Sequence, residues 1–265
     1  VARYTKLHGL GNDFLVALAS DNPGLHPDPA VARAVCDRRR GIGADGLVLG
    51  LPAVGTMADA RMVLLNADGS EAEISGNGIR CLAQALLHGQ GRSEGDLVIE
   101  TPGGERALRV VKGDVGSEVW MDVDMGPIAE GPELSAATIA YPASRAATVD
   151  IGNPHLVLVV DDPESVALEV DGPALEAGYP GGINVHFVRV VDADTIDLRV
   201  WERGAGVTEA CGSGASAAAA AAHGWGMVKG RVGVRMPGGE AFVELVDGSV
   251  HLIGPSQFVA EVTTP

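Results

Sequence analysis

A chain of 265 residues can bury one large core or two modest ones, and 46% hydrophobic with 20% charged residues is a globular composition. With 19 basic against 35 acidic residues the formal charge is −16, which excludes a nucleic-acid surface, and no run approaches the roughly 18 apolar residues of a membrane span. The first residues carry no apolar stretch of signal-peptide type, so the expected location is cytoplasmic.

In chain order, the first strong signal is a β-prone run over residues 62–66, followed by a turn-rich stretch and a helix that opens at Ser75, with its body over 79–87. Short strands rich in β-branched residues follow at 97–101 and 119–123, separated by the pattern-breaking Lys112-Gly-Asp-Val-Gly-Ser117. A second β-prone run at 196–201 leads to a second helix, opening at Cys211 with an Ala-rich body over 215–222. That body has no polar stripe, so it reads as a central helix buried within sheet. Strands at 232–236 and 241–245 come last.

The two halves repeat one another. Glu73-Ile-Ser75-Gly76-Asn77-Gly78 resembles Glu209-Ala-Cys211-Gly212-Ser213-Gly214 at an offset of 136, and the same offset carries Asn66 onto Glu202. Thr101-Pro-Gly-Gly-Glu matches Met236-Pro-Gly-Gly-Glu at an offset of 135. Two copies are too few for a solenoid. The expected fold is therefore α+β, two pseudo-symmetric halves, each a curled, mostly antiparallel, barrel-like sheet around a central helix. The expected halves are 1–117 and 118–265, with the last strand, about 255–265, returning to the first half.

Several familiar chemistries are disfavoured. Cys36, Cys81 and Cys211 lie far apart with no C-x-x-C pair, fitting neither a disulfide scaffold nor a zinc site. Only Lys6, Lys112 and Lys229 occur, and none lies in a Gly/Ser-rich segment suited to a Schiff base. Gly41-Ile-Gly-Ala-Asp-Gly46 and Gly212-Ser-Gly-Ala-Ser-Ala217 match dinucleotide-binding patterns, but neither follows a strand in a Rossmann context. His8, His26, His88, His223 and His251 show no metal spacing, and His186 is assigned no role. No metal and no organic cofactor is expected.

The repeat suggests a reaction. A helix N-terminus presents free N–H groups and a positive dipole end, so two related ends could hold one carboxylate between them. Such a site stabilises the charge that develops when a proton leaves the adjacent α-carbon. A helix N-terminus also lowers a thiol pKa, so Cys211 is expected to be a thiolate near neutral pH and to act as a base. Two acid/base groups flanking a bound carboxylate can invert an α-carbon without a cofactor.

Seven motifs give the chain a specific resemblance. Lys6-Leu-His-Gly-Leu-Gly-Asn12-Asp-Phe14, Asp37-Arg-Arg-Arg-Gly-Ile-Gly-Ala-Asp45-Gly46, Asn66-Ala-Asp-Gly-Ser-Glu71 and Gly76-Asn-Gly-Ile-Arg-Cys81 lie in the first half. Gly152-Asn153-Pro-His155, Asn184-Val185 and Glu202-Arg203-Gly-Ala-Gly-Val-Thr-Glu-Ala-Cys211-Gly-Ser-Gly214 lie in the second. In this order they resemble the diaminopimelate epimerase family. The resemblance implies that Cys211 is one catalytic acid/base and that Gly76, Asn77, Gly212 and Ser213 cradle the reacting α-carboxylate. It implies that His155 and Glu202 tune the catalytic pair. Asn12, Asn66, Asn153, Asn184 and Arg203 match ligands of the substrate, Arg203 suiting its distal carboxylate.

One position departs from the family. Its first motif reads Cys-Gly-Asn-Gly-x-Arg-Cys with a catalytic leading cysteine, and here that position is Ser75. Cys81 matches the second, non-catalytic cysteine, nearly two turns into the helix. A serine hydroxyl is a far weaker acid than a thiol, whose reference pKa is about 8.5. One direction of inversion is therefore expected to suffer more than the other. The implied function is interconversion of LL- and meso-diaminopimelate in lysine and peptidoglycan precursor biosynthesis by a homodimer. Two alternatives stay open: a racemase or lyase acting on another amino acid through the Ser75/Cys211 pair, and a weakened variant that only binds.

Overall fold

The protein opens on a two-stranded hairpin, β1 (Ala2–Gly9) and β2 (Asn12–Leu18). Its two turn residues, Leu10 and Gly11, both have positive φ, 55° and 84°, the primed turn that matches strand twist. The computed structural model describes residues 1–54, 57–72 and 75–264. Glu73 of the sequence repeat lies outside them. Helix α1 (Pro29–Cys36) starts where Asp28 accepts hydrogen bonds from the N–H groups of Ala30 and Val31, with Pro29 in the first turn. Then come β3 (Gly46–Leu51), β4 (Ala60–Asn66), β5 (Glu71–Ala72), helix α2 (Gly76–Gly89), β6 (Asp96–Thr101), β7 (Gly104–Gly113) and β8 (Glu118–Pro127).

The later elements are β9 (Ala129–Glu130), α3 (Ala136–Ala140), β10 (Arg145–Asp150), β11 (Pro154–Val159), α4 (Leu168–Glu176), β12 (Asn184–Asp192) and β13 (Thr195–Glu202). They end with β14 (Gly206–Thr208), α5 (Gly212–Gly224), β15 (Arg231–Met236), β16 (Gly239–Val246) and β17 (Ser249–Thr264). The chain folds as two units, Val1–Asp124 with the segment from Gly254 onward, and Met125–Ile253. Residues 112–117, where the sequence pattern breaks, hold the turn of the β7–β8 hairpin, and the units part within β8.

In the first unit the pairings run β1–β2 antiparallel, β2–β3 parallel, β3–β4 antiparallel, β4–β6 parallel, β6–β7 and β7–β8 antiparallel. The end of β17 pairs with β8 and, antiparallel, with β1, bringing Ala2 opposite Thr264 and closing the sheet into a barrel. Helix α2 packs on β1 to β4, and Ile79, Leu82, Ala83 and Leu87 are buried on it.

The second unit repeats this succession. Its pairings run β10–β11 antiparallel, β11–β12 parallel, β12–β13 antiparallel, β13–β15 parallel, β15–β16 and β16–β17 antiparallel. The two-stranded spurs match as well: β5 on β4 in one unit, β14 on β13 in the other. Helix α5 packs on β10 to β13, β15 and β16, and every residue from Gly212 to Ala222 is buried. Alanines let the surrounding strands approach closely on all sides, which explains an apolar helix without a polar stripe. Gly41–Gly46, the first dinucleotide-like pattern, is the loop leaving α1, and the second lies in the first turns of α5.

Candidate active site

The repeat is geometric as well as sequential. Ser75 caps α2 with φ −142° and ψ 116°, and Cys211 caps α5 with φ −129° and ψ 113°. Gly78 N–H donates to Ser75 Oγ at 3.0 Å, and Gly214 N–H donates to Cys211 Sγ at 3.3 Å. Each side chain thus sits at a helix N-terminus, where the first N–H groups have no acceptor within the helix. Gly76 and Asn77 begin one helix, Gly212 and Ser213 the other. Cys81 instead lies inside the first unit beside Ser256, its thiol pushed up to about 11 by burial.

Around the α2 end, the tight β1–β2 turn brings Asn12 to Asn77. Asn77 Nδ2 donates to Asn12 Oδ1 at 3.1 Å, and Arg80 Nη2 donates to Asn77 Oδ1 at 2.6 Å. Asn12 Nδ2 donates in turn to Asp45 Oδ2 at 2.9 Å. Arg38 bridges Asp45 and Asp13, and Lys6 pairs with Asp13 at 3.0 Å. Burial works to raise the Asp13 carboxyl pKa, but Arg38 and Lys6 overcome it and hold the carboxyl below its ordinary range. Asn66, at the end of β4 opposite Gly46, bonds to Ser70, not to this chain of amides.

Around the α5 end, β13 and β14 supply the neighbours of Cys211. Cys211 is buried, with Ser213 Oγ 3.4 Å from its sulfur. Its thiol pKa stands well above the ordinary value, first because burial disfavours the thiolate and then because the Glu202 carboxylate adds negative charge nearby. The bonds from Ser213 and Gly214 pull the other way and are outweighed. The resting group is a thiol, which corrects the expectation of a thiolate at neutral pH: the helix end is present, but desolvation and Glu202 win. Glu202, the last residue of β13, also accepts a hydrogen bond from Thr208 Oγ1 on β14.

Asn153, His155, Asn184 and Arg203 gather in the same unit. His155 Nε2 lies 2.7 Å from Asn153 Oδ1. Asn184, opposite His155 across β11–β12, donates from Nδ2 to Pro154 O at 3.0 Å and accepts from Arg203 N–H at 3.0 Å. Arg203 lies along the Gly181-Gly182 turn, where Nη1 reaches Gly181 O at 3.2 Å. A Cβ at Gly182 would come within 2.8 Å of Arg203 Cδ, so the glycine makes room for the side chain. Among the described residues no three His, Cys, Asp or Glu side chains come together as metal ligands would. No described helix is long and apolar enough to cross a membrane.

The sequence profile described as Diaminopimelate epimerase matches residues 4–129 and 147–259. The chain belongs to the diaminopimelate epimerase family. A relative of that name from Carboxydothermus hydrogenoformans is 39% identical over 272 residues, covering 97% of each chain. Another, from Sphingopyxis alaskensis, is 41% identical over 254 residues, covering 93% of this chain and 90% of its own. Among solved structures, a predicted epimerase from Pseudomonas aeruginosa shares the fold, with a TM-score of 0.75 over 100% of this chain and 99% of its own at 21% identity.

Three residues of this diaminopimelate epimerase relative escape a reading of its sequence. Arg80 falls in the Gly76-to-Cys81 motif, but nothing local says that it is wholly buried and bonded to Asn77 and to Pro255 O at 3.2 Å. Burial lowers its pKa to about 10. Asp45 also falls in a motif, and its partner Asn12 is 33 residues away. His186, two residues beyond Asn184, lies 2.8 Å from His155 Nδ1 and is likewise fully buried. A histidine alternating with apolar residues in a strand is the only local hint.

Proposed function

We propose that this chain interconverts LL- and meso-diaminopimelate by moving one α-proton, with Cys211 and Ser75 as the paired acid/base positions. The observation that carries the reading is the matched pair of helix caps, alike in backbone conformation and in the pattern of the cap bond, in a member of this family. N–H groups from Gly76 and Asn77, and from Gly212 and Ser213, would hold the reacting carboxylate and stabilise the charge that grows on it. The donors of Asn12, Asn153 and Asn184 would bind the rest of the substrate, with Asn66 nearby and Arg203 on the distal carboxylate. The reaction needs no organic cofactor in this scheme. Its product would feed lysine and peptidoglycan precursor synthesis in the cytoplasm, and the working unit would be a homodimer.

Since the resting Cys211 is a thiol, acting as a base requires that its proton pass first to Glu202. The sulfur then takes the α-proton from one face, and Ser75 Oγ–H delivers a proton to the other; the Ser75 oxygen regains a proton from water and Glu202 releases its own to water, which resets both groups. In the reverse sense Ser75 would have to act as a base, which its hydroxyl does poorly. The overall equilibrium constant fixes the ratio of forward to reverse efficiency. The asymmetry expected from Ser75 therefore falls on exchange against inversion, not on net direction.

The test incubates each isomer with the protein in D2O and follows α-deuterium uptake and epimer ratio. One isomer should exchange faster than it inverts, Ser75→Cys should bring inversion level with exchange, and Cys211→Ala should abolish both. If neither the parent nor Ser75→Cys exchanges the α-proton of either isomer, diaminopimelate is not the substrate. Tight binding with no exchange by the parent and rapid turnover by Ser75→Cys would favour a binding variant, a reading that Ser75 itself motivates.

A further inference from the structure

The pair His155–His186 carries more than a contact. His155 uses both ring nitrogens, Nε2 toward Asn153 Oδ1 at 2.7 Å and Nδ1 toward His186 Nε2 at 2.8 Å. His186 Nδ1, the far end of the chain, is buried with no hydrogen-bond partner. Both rings are inaccessible to solvent, and burial holds both neutral, His186 down to about 3. A neutral imidazole has one N–H and one lone pair, so one choice sets the whole line. If His186 Nε2 carries its proton, it donates to His155 Nδ1, His155 Nε2–H donates to Asn153 Oδ1, and only a lone pair at His186 Nδ1 goes unmet. In the opposite arrangement an N–H is stranded at His186 Nδ1. A stranded buried N–H is the rarer and costlier defect.

The surroundings reinforce this choice. The Nδ1–Cε1 edge of His186 faces the first turn of α5 at Gly214, where an added Cβ would lie 2.3 Å from Cε1 and 2.8 Å from Nδ1. That backbone offers His186 Nδ1 no acceptor, and the Gly214 N–H is already given to Cys211 Sγ. Across β12, His186 is flanked in register by Val157 of β11 and Val200 of β13, neither of which is polar. The ionisable groups nearby include His155 on β11, Glu202 at the end of β13, Arg203 just after it, and Cys211 at the cap of α5.

We propose that His186 is a positioning residue. Its Nε2–H fixes His155 as the Nε2–H tautomer, and His155 then holds Asn153 with its carbonyl oxygen inward and its two amide N–H donors turned to a substrate carboxylate. The side-chain amide of Asn153 can otherwise present oxygen or nitrogen with equal ease, and oxygen facing a carboxylate would repel it. His186 thus selects for an anionic group at Asn153 without touching it. This rests on the proposed function only in giving Asn153 a carboxylate to meet.

The test separates the two parts. In protein labelled with 15N at histidine, the resting spectrum near neutral pH should show both rings as Nε2–H tautomers. His155 as the Nδ1–H tautomer would overturn the proposal whatever the substrate. His186→Phe, which fills the space but cannot donate, should remove that single tautomer at His155 and raise the KM for diaminopimelate about tenfold with a smaller change in kcat. His186→Gln, which can donate, should return KM to within about threefold of the parent. A purely structural role would predict the bulkier, apolar Phe to be the milder change, and that order would overturn the proposal. An unchanged KM in His186→Phe despite a lost tautomer would overturn it too. A parent that neither binds nor turns over diaminopimelate would sink the functional reading, and the resting spectra would still decide the His186–His155–Asn153 line.

Discussion

Two buried neutral histidines make the second unit sensitive to mild acid, and the size of the effect can be worked out. His155 and His186 are both 0% exposed, and burial lowers both pKa values, His155 well below the ordinary imidazole value and His186 to about 3. In the unfolded chain each ring titrates near 6.5. Below that pH the unfolded state binds protons that the folded state refuses, so stability falls as pH falls. The contribution is complete above about pH 7.5 and drains away through 6.5, for His186 down to about 3. Between pH 7.5 and 5.5 His186 removes about 1–2 kcal/mol, and His155 adds a loss of the same sign, together a large share of a typical folding free energy. Urea unfolding followed by tryptophan fluorescence, to which Trp201 and Trp225 contribute from this unit, measures the loss at the two pH values. His186→Phe should lose about 1–2 kcal/mol less than the parent over the same interval, whatever its absolute stability. Carboxylates titrate alike in both proteins and cancel in the comparison. Equal losses in parent and variant would refute the assignment of His186 as a buried neutral ring.

Other consequences follow from the same geometry. Gly214→Ala places a Cβ against the His186 ring and should cost about 1–3 kcal/mol in chemical denaturation and most of the activity, because the Cys211 cap must shift. Gly224→Ala, where nothing lies within 4 Å, serves as a near-neutral control on the same helix, and equal effects of the two would count against the packing argument. Arg80→Lys should lose about 2–4 kcal/mol and raise KM, since one ammonium cannot reproduce the guanidinium's bonds to both Asn77 and Pro255, and wild-type thermal melting would contradict this. Gly11→Ala should cost about 1–2 kcal/mol at a φ of 84° and weaken substrate binding by displacing Asn12, both readable from urea midpoints and KM.

Much of this protein is local in origin and therefore legible along the chain. The helices open where a Ser or Cys precedes Gly-rich turns, at Ser75 and Cys211, because a cap bond forms within three residues. The internal repeat announced two like units, since like sequences form like local structure. What required the tertiary structure was set by residues remote in sequence or by exclusion of water. The return of the last strand to the first half is expected from the sequence, but the register that sets Ala2 opposite Thr264 exists only once the barrel closes on the edge of β1. Asn12 finds Asp45 just ahead of the neighbouring strand, and His155 finds His186 across neighbouring strands, pairings that no local pattern gives. The protonation state of Cys211 turned on burial and on Glu202, two influences that spacing does not record, and they reversed what the helix end alone implies. Short-range bonds and periodicity are written residue by residue. Desolvation and cross-strand partners exist only once the chain has closed around them.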